Sequence, residues 1–578
     1  MNRNHLTKIL KCIGRYQGLA SWSVLCAILS VVASLIGPRL IGKAIDSMIG
    51  SGRVEFTPII RILILLAFTY AVGNLFGWLL TYLTNRIAYQ TINDLRHQLF
   101  EKLNCLPLKF YDTHPHGDTI SRFVNDLDTI SDGIIQGLST LLIGLVTIIG
   151  AIGFMLCLSP LLTLVVLVSA PVSFLVARFI TKRSQQLFKK QAQDLGELNG
   201  YIEEMIGGQK VVQAFNFEQR SFERFAKINN DLYQSGVQSQ FYGSLSGPTT
   251  RLVNNITYAA IGVIGSIAAL LGQVTVGDIS SFLIYATVFA KPFNDITAVF
   301  TQIQAAGAST QRILDILDLT PEQPDRPDAL LSKQCQGKII FDQVNFSYSP
   351  NRPLITNFNL QVGPGSWIAI VGQTGAGKTT LVNLLMRFYD VDSGAITIDG
   401  VNINRLTRDS LRQSFGMVLQ DTWLFAGSIR DNIIYGKPEA SDEAMIAAAK
   451  AADAHSFIRR LPDGYNTLIS DDGGNLSQGQ KQLLTIARVM LADPPMLILD
   501  EATSNIDTRT ELRIQKAFLK MVTGRTSFII AHRLSTIREA DLILVMENGN
   551  IVESGRHEQL LNHGGHYAKL YHSQFAPV

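Results

Sequence analysis

Residues 372–380 read Gly372-Gln373-Thr374-Gly375-Ala376-Gly377-Lys378-Thr379-Thr380. They follow the apolar run Trp367-Ile368-Ala369-Ile370-Val371, which has the pattern of a buried strand, and they precede a helical apolar run from Leu381 to Phe388. Strand, glycine-rich loop and helix in that order make a complete phosphate-binding loop. The glycines let backbone N–H groups close around phosphate oxygens, and the amino terminus of the helix adds its dipole. In such a loop Lys378 meets the β- and γ-phosphates and Thr379 ligates Mg²⁺.

A second carboxylate site lies farther along. Met496-Leu497-Ile498-Leu499 reads as a core strand, and Asp500-Glu501 emerge at its carboxyl end, where α/β sheets bind ligands. Asp500 suits Mg²⁺, directly or through water, and Glu501 suits polarising an attacking water. A strand ending in two acids is weak evidence alone, but this one comes soon after Leu476-Ser477-Gln478-Gly479-Gln480. Short apolar runs alternate with helical patterns through residues 337–578, as in an α/β domain.

The amino-terminal half has a different character. Of the 578 residues 47% are hydrophobic and only 17% charged, with a mean hydropathy of +0.19, too apolar for disorder and unusual for a wholly soluble protein. No charge falls from Tyr16 to Pro38, from Ile62 to Asn85, or from Gly133 to Ala177. The first two stretches each suffice to cross a hydrocarbon core, which takes about 20 helical residues. The third would measure roughly 68 Å as one helix, so it reads as two spans turning at Ser159-Pro160. A fifth stretch runs from Leu252 to Gly277, and a sixth from Ile279 past Lys291, Pro292 and Asp295 toward Ile303. These patterns predict an all-α transmembrane domain, residues 1–318, with six spans at about 17–41, 62–85, 133–158, 161–179, 252–273 and 279–303, then a linker at 319–336 and the α/β domain at 337–578.

Arg3, Lys8, Lys11 and Arg15 with no nearby acid place the amino terminus in the cytoplasm, and Leu6, Ile9, Leu10 and Ile13 give the pattern of a short interfacial helix. Six crossings return the α/β domain to the same side. The connections from Arg86 to Asp132 and from Arg178 to Arg251 are long and rich in helix formers, so the membrane helices are expected to continue into the cytoplasm and turn there. Lys291 and Asp295 would be costly facing lipid. They either line a substrate path or, four residues apart, pair with each other. The run around Pro321, Pro324 and Pro327, with Glu322, Asp325 and Asp328, reads as an exposed linker.

Composition excludes other classes. Lys+Arg 50 against Asp+Glu 47 leaves a net charge of +3, without the footprint of a nucleic-acid binder. Cys12, Cys26, Cys105, Cys157 and Cys335 lack CxxC spacing and His partners, which argues against zinc sites and a disulfide framework and for free thiols in apolar surroundings.

Together with the phosphate loop, LSQGQ (476–480), ILDEATSNID (498–507) and AHRLST (531–536) resemble the nucleotide-binding domain of an ATP-binding cassette (ABC) transporter, and the six-span half resembles the exporter class in which membrane domain and cassette share one chain. The resemblance implies that Tyr348 stacks on adenine, although it also reads as an ordinary sheet tyrosine. It implies that Gln420 reaches Mg²⁺ or water, that His532 is the switch histidine near the γ-phosphate, and that Asp507 crosses to a partner cassette. Ser477, Gln478, Gly479 and Gln480 would contact nucleotide held by the opposite subunit, so catalysis would need a dimer. Phe110-Tyr111-Asp112, with the residues through Asp126, resembles the first coupling segment of such exporters. Glu203-Glu204, Gly207-Gly208, Val211-Val212 and Phe215 resemble the approach to the second.

Three departures stand out: Gln478 where the family usually has glycine, Ser504-Asn505-Ile506-Asp507 in place of the commoner Ala-Leu-Asp ending, and Asp471-Asp472-Gly473 in place of a Gly-Glu-Arg-Gly run. A side chain at 478 crowds the approach to phosphate. This combination resembles the catalytically intact subunit of bacterial heterodimeric exporters, which favours a heterodimer with a second half-transporter over a homodimer. The expected function is ATP-driven export of small hydrophobic or amphipathic compounds across the bacterial cytoplasmic membrane, with ATP and Mg²⁺ as cofactors, the lipid bilayer as surroundings and no nucleic-acid partner. A lipid or peptide exporter of the same architecture and a nucleotide-gated regulatory protein are the alternatives.

Overall fold

The computed structural model describes residues 14–48, 54–332, 335–420, 422–470, 475–500, 508–530 and 537–575. The chain forms two bodies, Met1–Cys105 with His114–Thr320, and Leu106–Thr113 with Pro321–Val578. The interfacial helix expected before Gly14 lies outside the described residues.

The first body is helical: Gln17–Asp46, Phe56–Asn104, Leu127–Leu158, Pro160–Gly207, Glu218–Ser244, Ser246–Leu270 and Val276–Leu317 are its long elements. Phe56–Asn104, with 49 residues, measures about 74 Å, more than twice the roughly 30 Å of a hydrocarbon core. Among the described residues, Gly14–Asp46, Phe56–Asn104, His116–Leu158 and Glu218–Leu270 are long and apolar enough to cross a membrane. The segments expected as fourth and sixth spans lie in Pro160–Gly207 and Val276–Leu317. Ser159 leaves the helical conformation, and its hydroxyl caps the second of the two helices that meet there.

Phe282, Tyr285 and Phe289 line one face of Val276–Leu317 and pack with Leu35, Met155, Leu162 and Ile261. Pro38 interrupts the backbone ladder of the first long helix. Ser281 Oγ donates to the Pro38 carbonyl at 2.9 Å and Tyr285 Oη to that of Leu35 at 2.6 Å, so side chains of the last long helix bond to backbone of the first around its proline. At one end of this pair Asp46 accepts from Thr275 Oγ1 and from Gly277 N, both at 2.8 Å. Toward the other end Asp126, in a π-helical turn over Arg122–Asp126, holds Arg312 and Ser309.

The second body is an α/β domain. A six-stranded sheet has the order β12-β11-β3-β10-β9-β6, with β3 Trp367–Gly372, β6 Phe415–Val418, β9 Met496–Asp500, β10 Thr526–Ile530, β11 Leu542–Glu547 and β12 Asn550–Gly555. All its pairings are parallel except β11 with β12. The inner parallel strands β3, β10 and β9 are apolar on both faces because both are covered. Leu497 and Leu499 enter one core while Met496 and Ile498 enter the other, and Ala369/Val371 and Ile368/Ile370 divide in the same way. A four-stranded sheet, β2-β1-β4-β5, lies in the same body, with β1 Ile339–Phe346, β2 Ile355–Val362, β4 Ser393–Ile398 and β5 Val401–Asn402, and β7 Gly427–Ser428 pairs with β8 Leu468–Ile469.

The run after Thr320 differs from a free linker. The Arg408 and Arg387 side chains are only 8% exposed, and buried guanidinium groups need countercharge. Glu322 supplies it to Arg408 at 3.1 Å, and Asp325 to Arg408 at 2.8 Å and to Arg387 at 3.6 Å. Leu330 then exchanges backbone hydrogen bonds with Arg405 and Thr407. Composition alone suggested solvation, whereas the acids strap the segment to its own domain. The thiols differ as well: Cys26 is buried, but Cys105, in the turn that ends its helix, and Cys157 are exposed. Cys335 is half-buried and hydrogen-bonded to Asp399, and Cys12 lies outside the described residues.

Candidate functional site

The site begins where β3 ends. Trp367–Gly372 delivers the loop from the centre of the sheet, and helix Lys378–Leu385 leaves it. A Cβ on Gly372 would stand 2.3 Å from the Met546 carbonyl oxygen, so only glycine permits the strands this approach. Gly375 and Gly377 have φ of +84° and +96°, left-handed backbone that turns the chain over the helix start. Open space surrounds the Cβ position of Gly375, and the first-turn amides of the helix have no partners within it. Gln373, Thr374 and Thr379 are exposed on the loop, while Ala376 and Thr380 are buried beneath it.

Lys378 Nζ folds back along this loop, donating to the carbonyls of Gly372 at 2.7 Å and Gln373 at 3.0 Å. Desolvation holds its pKa below the ordinary lysine value, opposed by the charge of Asp500. The ammonium is a half-buried cation at the amino terminus of a helix, an arrangement that favours a polyanion.

Asp500 closes β9, with Leu499 beside Val418 of β6 and Asp500 beside Ile530 of β10. The carboxyl ends of β3, β10, β9 and β6 therefore form one rim, bearing the phosphate loop and Asp500, with exposed Gln420 two residues beyond β6. Glu501 comes one residue after the end of β9 and His532 two residues after the end of β10. Together with Asp507 and Asp471-Asp472-Gly473 they lie outside the described residues.

Ser477 begins helix Gln478–Ala492 through a reciprocal cap: its hydroxyl accepts from Gln480 N at 3.3 Å while the Gln480 side chain accepts from Ser477 N at 3.0 Å. Gly479 is buried in the first turn. Gln478 Nε2 donates to Thr422 Oγ1 at 3.3 Å, so this unusual side chain is held against the segment that follows Gln420.

Tyr348 stands beside the phosphate-loop helix. Its hydroxyl donates to Thr380 Oγ1 and accepts from Asn383 Nδ2, each at 3.2 Å, and the residue is 38% exposed. Behind it the ring packs edge-to-face with Phe346 at 4.9 Å and Tyr389 at 5.0 Å. Sequence reasoning missed Asn383 and Tyr389. Asn383 was signalled by its place three residues after Thr380 on one helix, whereas Tyr389 reaches this group only through the fold. Tyr389 Oη donates in turn to Asp112 at 2.5 Å, on the short helix Leu108–Thr113 of the same body. Burial, then this bond and the Asp112 charge, push the Tyr389 phenol pKa well up.

Among the described residues no cluster of three or more His, Cys, Asp or Glu side chains is arranged to hold a metal. The set here is instead the Thr379 hydroxyl, the Gln420 amide and the Asp500 carboxylate. These hard oxygen donors fit an ion such as Mg²⁺ that takes most of its shell from phosphate and water.

Residues 21–293 match the family profile of the ABC transporter transmembrane region, and residues 355–504 match that of the ABC transporter. The uncharacterised ABC transporter ATP-binding protein YfiC of Bacillus subtilis is 42% identical over 99% of this chain and 94% of its own length. The fatty acid ABC transporter ATP-binding/permease protein of Mycobacterium bovis is 44% identical over 89% of this chain and 82% of its own. A solved structure of a bacterial Atm1-family ABC exporter with ATP bound superposes with a TM-score of 0.75 at 30% identity, covering 98% of this chain and 99% of that one.

Proposed function

Since this chain belongs to the ABC exporters, with a multi-pass membrane domain and an ATP-hydrolysing domain in one polypeptide, we propose that it drives small hydrophobic or amphipathic compounds out across the membrane as half of a dimer. The observation that carries this reading is the single rim on which the phosphate loop, Lys378 and Asp500 meet. Lys378 and the loop amides bind the triphosphate, Tyr348 offers a ring face to adenine, and Thr379, Gln420 and Asp500 hold Mg²⁺. Mg²⁺ held there would supply charge neutralisation to the transferring phosphoryl group. Glu501 orients the attacking water and His532 senses the γ-phosphate, both by resemblance. Ser477 and the residues after it serve the site of the opposite subunit, as does Asp507.

Lys291 supports an amphipathic substrate. It is exposed on the helix face opposite the Phe282–Tyr285–Phe289 seam, and among the described residues it pairs with no carboxylate, Asp295 included. A free cation on a membrane helix belongs in a water-filled path rather than against lipid. Relatives carry the names fatty acid transporter, putative multidrug export protein and lipid A-core flippase, and the last favours a second reading as a lipid flippase. Gln478 favours a heterodimer. Purification of the chain expressed alone tests this: an active, drug-stimulated ATPase of two identical subunits would exclude it. Substrate-stimulated ATPase in liposomes tests the export reading. Stimulation by rhodamine 6G supports a drug-type pump, and stimulation by phospholipid alone supports the flippase.

A further inference from the structure

Three features of the cassette body meet at one side chain. The exposed ring of Tyr348 is fixed to the phosphate-loop helix by Thr380 and Asn383. Tyr389 meets that ring at 5.0 Å with an interplanar angle of 89°, and Phe346 wedges against both, at 4.9 and 5.7 Å. The Tyr389 hydroxyl, 2.5 Å from Asp112, holds a helix of six residues that is separated from the cassette by more than 200 positions of sequence but packs in the same body. Phe110 on that helix is buried, so the helix is seated rather than merely touching.

Three rings in mutual edge-to-face contact resist independent rotation, because each pair prefers a narrow range of geometry. A base stacked on Tyr348 restricts that ring, hence Tyr389, hence the acceptor on Asp112. Phosphates bound in the loop reach none of these rings directly. Their effect passes through Lys378 and the helix start, and meets Tyr348 only at the hydroxyl bonded to Thr380 and Asn383, not at the ring face.

We infer that Tyr389 is a positioning residue through which occupancy by the nucleotide base, as distinct from its phosphates, stiffens the helix Leu108–Thr113. The inference rests on the nucleotide site described above and adds to it a separate route for the base.

Hydrogen exchange on the full-length protein in detergent micelles tests it, with MgADP and magnesium pyrophosphate as probes at concentrations that protect residues 372–380 equally. MgADP is expected to slow exchange of residues 106–113 at least about threefold, and pyrophosphate to leave them unchanged. Tyr389→Phe keeps the ring and loses the donor. It should abolish slowing at 106–113 while the protection of 372–380 and the ADP affinity stay within about twofold. Asp112→Ala should reproduce that result, and the double variant should add nothing, as for two ends of one contact. Equal slowing of 106–113 by pyrophosphate, or its persistence in Tyr389→Phe, overturns the inference and leaves the nucleotide site standing. Failure of MgADP to protect 372–380 overturns the site itself.

Discussion

Lys378 Nζ lies 2.7 Å from the carbonyl oxygen of Gly372, the residue that ends the strand before the loop. The same ammonium is partly desolvated and feels the charge of Asp500. The loop thus stores its cation against its own backbone, ready to exchange carbonyl partners for phosphate oxygens.

Lys378→Ala should weaken nucleotide binding about ten- to a hundredfold, the loss expected for a hydrogen bond to a charged group at about 1.5–3 kcal/mol. Titration of the purified protein with a fluorescent ATP analogue measures it. A change below about threefold would show that the loop amides alone carry the triphosphate.

Glu501→Gln should leave ATP binding intact and cut hydrolysis at least about a hundredfold, since it removes the group assigned to the attacking water. Near-normal turnover in the assembled transporter would refute the assignment.

The strap between linker and cassette makes a stability prediction. Replacing both Glu322 and Asp325 by their amides leaves Arg387 and Arg408 with only Asp390, at 3.1 and 3.8 Å. Uncompensated buried charge costs about 3 kcal/mol or more. Urea denaturation of the double variant should show a loss of that size, and a loss under about 1 kcal/mol would mean the guanidinium groups are solvated.

Asp399 makes a prediction about pH. Burial raises its pKa, but the amides of Lys338, Gln336 and Gly337 and the Cys335 thiol outweigh burial and hold the carboxyl below its ordinary range. A depressed folded pKa contributes stability that is present above the unfolded value, near 3.9, and is lost as pH falls through the folded one. Thermal melts of Asp399→Asn should therefore be less stable than the parent at pH 7 and converge on it below about pH 4. A constant gap across that range would contradict the account.

The phosphate loop was legible because every determinant is local: a buried strand, glycines at left-handed positions and a helix start, all between Trp367 and Leu385. The Ser477 cap is as local, a serine three residues before a glutamine, but Ser477 and Gln480 were assigned from the sequence only by resemblance, and their reciprocal bonds emerge in the structure. The fate of Glu322 and Asp325 was not legible. Their partners lie some eighty residues away in sequence, and prolines with acids describe a solvated linker equally well. The same holds for Tyr389 and Asp112, separated by 277 positions and joined only once the domain has folded. Lys291 was visible as an anomaly of charge in an apolar run, and the structure adds that it is exposed and, among the described residues, forms no ion pair with Asp295.

Export itself is tested most directly by ATP-dependent uptake of a fluorescent amphiphile, rhodamine 6G, into inside-out membrane vesicles carrying the chain with its co-expressed partner, paired with vesicles carrying Glu501→Gln. The account predicts uptake that requires MgATP, reaches a concentration above the bath, and disappears in the Glu501→Gln vesicles. Uptake of equal extent in both, or uptake that proceeds without ATP, would contradict it.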